Sequence, residues 1–187
     1  MPIDLEFRKR AVKTLSKEIG VYVLCDLDNV PVYVGQSKDG IRQRVQRHLT
    51  SARSDVISNR QIDVWEIAYV WEYPLQNELQ MNEVESQLFH KFHPKHSLMN
   101  GSVPSKKGGG SAVPQPTRKI QVMSDQEIQE KKDPEHRLPR QAKHYADIVG
   151  HFLAVKRSRQ IAGAMDAHFE RLRKYHAALL KLTVDND

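Results

Sequence analysis

Two short runs alternate in side-chain direction, GVYVLCD at 20–26 and VPVYVGQ at 30–36. They bracket the turn-forming residues Asp26, Asp28 and Asn29, a pattern that predicts a β-hairpin. A tight loop there sets Tyr22 opposite Tyr33, so both rings project from one face of the pair. Residues 4–18 predict a helix, as do residues 40–52, where Ile41, Val45 and Leu49 form one apolar stripe. Residues 62–73, IDVWEIAYVWEY, are rich in aromatic and β-branched side chains and predict a third strand. Residues 77–92 predict a helix, with Pro94 beyond its end. Ser124 followed by Glu127 has the spacing of a capping box. Residues 139–182 are helical in pattern, with Ala142, Tyr145, Val149 and Phe152, then Met165, Phe169, Leu172, Tyr175 and Leu179, at spacings of three and four. Gly163 is the expected break, giving one long helix or a helical hairpin. The fold class is mixed α/β, of the α+β kind. No internal repeat is present.

Between the two patterned regions lies GSVPSKKGGGSAVPQPT, residues 101–117, which has little to bury and reads as a flexible linker. The expected organisation is a body at 1–100, the linker, and a helical tail at 118–187. Charge follows this division. Residues 1–100 carry 13 Lys and Arg against 13 Asp and Glu, while residues 101–187 carry 16 against 10, which accounts for the whole net charge of +6. A basic tail on a neutral body suits a polyanionic partner, or else a solvated surface. An amphipathic helical pair also needs a face to cover it, either the body or a second copy of the chain, so a homo-oligomer through these helices is a further expectation. No apolar run reaches the roughly 18 residues of a membrane span, and the first residues lack the apolar core of a secretory signal. Cys25 is the single cysteine, which excludes an internal disulfide or a cysteine-rich zinc site. A cytoplasmic location is the default.

Several polar residues sit where an apolar pattern does not call for them. Arg44 and His48 are four apart on the 40–52 helix, with Arg47 beside them, at the edge of the buried stripe. Arginine at such an edge can hold a phosphate in bidentate fashion, or simply meet solvent. Glu85 interrupts the stripe made by Met81, Leu88 and Phe92. A carboxylate there needs a cation, either Arg44 or a metal. Tyr22 and Tyr33 read equally as sheet aromatics, and Asn100 in SLMNG as a turn residue.

Together these residues resemble the GIY-YIG nuclease family over about residues 18–101. The two half-motifs are Gly20-Val21-Tyr22 and Tyr33-Val34-Gly35, with valine in place of isoleucine in each. Arg44 and His48 follow on the next helix, then Glu85 and Asn100. The resemblance implies a small three-stranded antiparallel sheet flanked by helices, and a metal-dependent DNA endonuclease, that is, a Mg²⁺- or Mn²⁺-dependent phosphodiester hydrolase. It implies Glu85 as the metal ligand and Arg44 as the group that neutralises charge on the phosphate. Tyr22 would position or deprotonate the attacking water, helped by metal or by His48. Tyr33 and Asn100 would orient phosphate and water, and Gly35 would let the backbone approach the site. Lys38, Arg42 and Arg47 are the further residues expected to bind nucleic acid. The chain is compact and shows no recognisable targeting module, which favours a restriction or phage-defence role. A repair or recombination nuclease, a homing-type nuclease, and a non-catalytic nucleic-acid-binding protein are the alternatives.

Overall fold

The computed structural model describes residues 4–51, 61–100, 102–105, 113–155 and 157–184. Its elements are α1 (Leu5–Lys13), β1 (Gly20–Cys25), β2 (Pro31–Ser37), α2 (Ile41–Thr50), β3 (Tyr69–Pro74) and α3 (Met81–His96). They continue with β4 (Arg118–Gln121), α4 (Asp125–Lys132), α5 (Pro134–Ala154) and α6 (Arg159–Val184). The sheet is antiparallel throughout, in the order β2-β1-β3-β4.

The sheet buries both faces. Tyr22, Leu24 and Val70 pack with Ile41, Val45 and Leu49 of α2 and Val12 of α1 on one side. Val21, Val23, Val34 and Tyr73 pack with Leu88, Phe89 and Phe92 of α3 on the other. The alternation read along 20–26 thus resolves into two cores rather than a core and a wet face, which is why every residue of β1 is buried.

Four expectations change. The hairpin pairs Tyr22 with Gly35 and Leu24 with Tyr33, not Tyr22 with Tyr33, because the Asp26 N–H bonds to the Val30 carbonyl around a three-residue turn and the register shifts again between Leu24 and Cys25, leaving Val32 as the extra residue of a bulge. The tyrosines still share a face, since the shift is two residues. Strand β3 begins at Tyr69 rather than 62. Asp63 forms an Asx turn with the Trp65 N–H at 3.0 Å, and the fully buried Arg8 donates to the carbonyls of Val64 and Ile67, both at 3.0 Å. Helix α3 runs to His96, with Pro94 in its last turn and a 3₁₀ turn at Glu78–Gln80 before it.

The fourth change is the strand count, four instead of three. Residues 118–121, expected to open a helical tail, pair with β3 from Glu72↔Arg118 to Tyr69↔Gln121. Arg118 Nε donates to Glu72 at 2.5 Å, and Lys119 lies over the Trp71 ring at 4.0 Å. Of the expected linker, residues 101 and 106–112 lie outside the described residues.

Helices α5 and α6 form the helical hairpin. Its break falls after Ala154, and Gly163 lies inside α6. The apolar stripe at Tyr145 turns toward α6, where Tyr145 meets the Phe169 and His168 rings at 5.7 and 5.9 Å. The face of α5 turned to the body is polar instead. Arg137 donates to Asp28 at 2.6 Å and to Glu66, whose other carboxylate oxygen accepts from Arg140. Gln141 donates to Asp63 at 2.6 Å, and Arg171 of α6 to Asp26 at 3.0 Å. Burial pushes the Glu66 carboxyl up to about 7, while Arg137 and Arg140 pull against that shift. Ion pairs of this kind add little net stability, but removal of one member costs about 3–5 kcal/mol, so any other docking of the hairpin that left one of these charges buried and unpaired would be penalised. Ser124 caps α4 by accepting from the Glu127 N–H at 3.3 Å.

His168 makes the docking sensitive to acid. It is fully buried, with Nε2 3.0 Å from the Gln141 carbonyl. Burial lowers its pKa from 6.5 to about 4. Between those values the unfolded chain binds a proton that the folded chain refuses. The contribution of His168 to stability is therefore full above pH 6.5 and falls as the pH drops toward 4, by about 3 kcal/mol at its limit, while the raised carboxyl of Glu66 acts in the opposite sense over the same range. Urea denaturation at a series of pH values isolates it as a difference: the stability of the wild type relative to His168→Gln should fall from pH 6.5 to pH 4. An unchanged slope in the variant would place the acid sensitivity elsewhere.

Candidate active site

Strand β1 and the turn of α2 before Thr50 set the centre of the site. Tyr22 is fully buried, and its hydroxyl lies 2.7 Å from Nε2 of the equally buried His48. The Tyr33 ring completes a triangle, with centroids 6.3 Å from Tyr22 and 5.9 Å from His48. With His48 protonated on Nδ1, the phenol donates to Nε2, which draws the proton away from oxygen and raises the basicity of the phenol. Arg44, half-buried one turn earlier on α2, shares the face of His48.

Gly35 explains why the rings meet. A Cβ there would stand 2.5 Å from the Tyr22 hydroxyl oxygen and 2.7 Å from Cε1 of Tyr33. The missing side chain admits the phenol itself, a more specific role than close approach of the backbone. Gly35→Ala should displace Tyr22 from His48. Overpacking costs about 1–3 kcal/mol, and misplacement of a reacting group by about 1 Å costs about 100-fold in rate. Thermal melts and DNA-nicking rates of the variant test both effects together. A wild-type rate in Gly35→Ala would remove this role.

Glu85 lies on α3, half-buried on the stripe of Met81, Leu88 and Phe92. The alternative pairing with Arg44 does not form, for among the described residues no hydrogen bond or ion pair reaches the Glu85 carboxylate. Burial alone raises its pKa to about 7. Asn82, three residues earlier and on the same face of the helix, accepts from Gln36 at 3.0 Å. Gln36 adjoins Gly35, so one short path of contacts runs from the tyrosines to the helix of Glu85.

Other candidates sit differently. The Asn100 amide is engaged with the backbone of Val34, accepting from its N–H at 3.0 Å and donating to its carbonyl at 2.6 Å. It therefore closes the free edge of β2 and holds the strand of Tyr33. Arg42 donates twice to the Leu15 carbonyl, at 2.8 and 2.7 Å, which ties α2 to the chain after α1. Lys38 is exposed and paired with Glu78 at 3.1 Å, and Arg47 lies 3.9 Å from Asp39. Pairs so exposed are weak and exchange readily with a phosphate.

Glu72 was not anticipated. It is buried beside Tyr22 on the next strand, accepting from the Ser16 N–H at 2.9 Å and from Arg118. Its signal is legible after the fact: the inward alternation of YVWEY places an acid between Val70 and the strand end. Among the described residues no group of three or more His, Cys, Asp or Glu is arranged to hold a metal. A divalent cation here would rest on Glu85 as its single protein carboxylate. A half-buried hard oxygen donor without a protein partner fits Mg²⁺, which keeps several waters and takes further oxygens from phosphate.

Residues 18–99 match the model of the GIY-YIG catalytic domain. UvrABC system protein C of Pseudoalteromonas translucida (strain TAC 125) is 32% identical over 88 residues, which cover 47% of this chain and 14% of that protein. Among solved structures, the GIY-YIG N-terminal endonuclease domain of UvrC from Thermotoga maritima, bound to magnesium, aligns with 22% identity and a TM-score of 0.38. That alignment covers 48% of this chain and 93% of the domain. A point-mutant form of the same domain, bound to its catalytic divalent cation, aligns with a TM-score of 0.37.

Proposed function

With residues 18–99 forming a GIY-YIG catalytic domain, we propose that this chain is a metal-dependent DNA endonuclease that hydrolyses phosphodiester bonds. The observation that carries the reading is the buried Tyr22 hydroxyl 2.7 Å from His48 Nε2. Any buried phenol needs a hydrogen-bond partner, but an imidazole is one that can also take the proton, which a tyrosine with a reference pKa near 10 requires if it is to activate water.

Tyr22 passes its proton to His48 and takes one from the attacking water. Arg44 offsets the charge that grows on the phosphate. Tyr33 orients the phosphate, and Asn100 acts through β2. Glu85 would hold Mg²⁺ or Mn²⁺, which when bound supplies Lewis-acid polarisation of the scissile phosphate. Lys38 and Arg47 supply exposed charge beside the site. In the tail, Arg157, Arg159, Arg173 and Lys174 are exposed and are our choice for contact with the DNA backbone. The exposed Leu153, Phe169 and Leu180 make a homo-oligomer through the same helices a parallel reading. No helix among the described residues is long and apolar enough to cross a membrane, and we place the enzyme in the cytoplasm with its substrate.

Incubation of the chain with supercoiled plasmid and Mg²⁺, followed by sequencing of the cut ends, tests the proposal. Cleavage that stops with EDTA supports it. Ends sharing one sequence mark a restriction or phage-defence enzyme, and ends at junctions or flaps a repair or recombination enzyme. DNA binding without cleavage under any divalent cation would leave a non-catalytic binding protein.

A further inference from the structure

One buried side chain of the tail bridges the hairpin and the helix that carry the site. Arg171 lies on α6, beyond the matched residues 18–99, and is 5% exposed. Its guanidinium donates to three acceptors on two different elements. Nη1 donates to Asp26 Oδ2 at 3.0 Å, and Nη2 to the Pro31 carbonyl at 3.0 Å and to the His96 carbonyl at 2.9 Å.

Each acceptor has a consequence for the site. Asp26 builds the β1–β2 turn, since its other oxygen accepts from the N–H groups of Asp28 and Val30 at 2.9 and 3.0 Å. Pro31 is the first residue of β2, the strand of Tyr33 and Gly35. His96 is the last residue of α3, the helix of Glu85. The chain then turns at Ser97, in the left-handed region at φ 45°, with its hydroxyl bonded to Glu170 of α6. It next runs along the free edge of β2, where the Met99 N–H donates to the Val32 carbonyl at 2.7 Å and Asn100 clasps Val34. A planar guanidinium with fixed donors sets relative position in a way that an apolar contact does not.

We infer that Arg171 is a positioning residue for phosphodiester cleavage: its guanidinium locks the hairpin that carries Tyr22 and Tyr33 against the helix that carries Glu85. The inference rests on the nuclease reading above. It gives the tail a part in the reaction that does not depend on contact with DNA.

The test compares Arg171→Lys and Arg171→Ala with Arg140→Gln, which loosens the same interface through Glu66 without touching α3 or β2. Lysine keeps the charge beside Asp26 but cannot reproduce the three-way geometry. With the wild type in parallel, kcat in Arg171→Lys should fall about tenfold and in Arg171→Ala toward 100-fold, as expected for displaced reacting groups. The KM for DNA should stay the same, and the Mg²⁺ concentration for half-maximal cleavage should rise. Arg140→Gln should lose thermal stability with kcat unchanged. Amide hydrogen exchange gives a reading independent of activity. In the Arg171 variants the Val34 and Met99 amides should exchange at least about tenfold faster relative to the sheet-centre amides of Val23 and Trp71. Wild-type kcat and exchange in Arg171→Lys would overturn the inference, and that variant decides the matter if Arg171→Ala does not fold. A loss spread evenly over all amides, with Arg140→Gln equally slow, would also overturn it and leave only a structural role. Failure of the wild type to cut would instead count against the nuclease reading, while the exchange pattern would still report the coupling.

Discussion

Glu85→Gln should abolish cleavage and leave DNA binding nearly intact. Glutamine keeps the volume on α3 and removes the carboxylate that, among the described residues, offers its charge to a divalent cation there. Loss of electrostatic stabilisation at the transition state costs about 10²–10³ even for a single neutral donor, so loss of a metal ligand should exceed about 10³. Filter binding and nicking assays on one preparation separate the two effects. The variant should also melt at a higher temperature than metal-free wild type at pH 8. Burial holds the Glu85 carboxyl at about 7 against an ordinary 4.5, so ionising it costs folded-state stability as the pH rises through 7. Below pH 4.5 that cost is absent. The same proton competes with metal, and the Mg²⁺ required should fall between pH 6 and pH 8. A Glu85→Gln protein that cuts at the wild-type rate would end the assignment of metal to this helix.

Tyr22→Phe should be the next most damaging change, with a loss of about 10²–10⁴ expected for a group that acts in general acid–base catalysis. Its structural cost should be moderate, because the ring stays in the core while the buried His48 Nε2 loses this contact, at about 1–3 kcal/mol. That split is diagnostic: a modest fall in melting temperature together with a large fall in kcat. His48→Gln should lose less, since the amide can still accept from the phenol but cannot carry its proton away. If Tyr22→Phe cuts normally, the Tyr22–His48 pair belongs to packing, and another group must activate water.

The hairpin, the helix of Arg44 and the stripe containing Glu85 were legible because each announces itself within about fifteen residues. Turn residues sit between two alternating runs, and one carboxylate interrupts an apolar face. The register was less so. A three-residue turn at 27–29 and one extra residue at Val32 together move Tyr22 from opposite Tyr33 to opposite Gly35, and no local signal in PVYVG marks a bulge. That shift revealed what Gly35 does. Strand β4 escaped notice because four residues, Arg-Lys-Ile-Gln, offer little alternation, and their pairing depends on Glu72 and Trp71 far away in sequence. The docking face of α5 escaped because apolar periodicity finds the stripe turned toward α6. The body is met by Arg137, Arg140 and Gln141, and four acids split between the hairpin turn and the 63–66 turn receive that face and Arg171. Arg42 and Asn100 show a related limit, since residue type suggested nucleic-acid chemistry but gave no sign of the backbone contacts that both make.

The strand contributed by residues 118–121 also ties the order of folding to the order of synthesis. Glu72 and Arg118 are 46 residues apart, and Arg171 reaches Asp26 across 145. Contacts so distant along the chain form late, after local hairpins and helices. As the chain emerges from the ribosome, the tyrosine hairpin and the helix of Glu85 are made first, with β3 still an open edge. The sheet is completed only when residue 121 is available, and the clasp at Asp26 only when residue 171 has folded back. On the nuclease reading, an enzyme assembled in this sequence would stay latent while it is being made, and a chain cut short before Arg171 would lack the side chain inferred to bring Tyr22, Tyr33 and Glu85 into register.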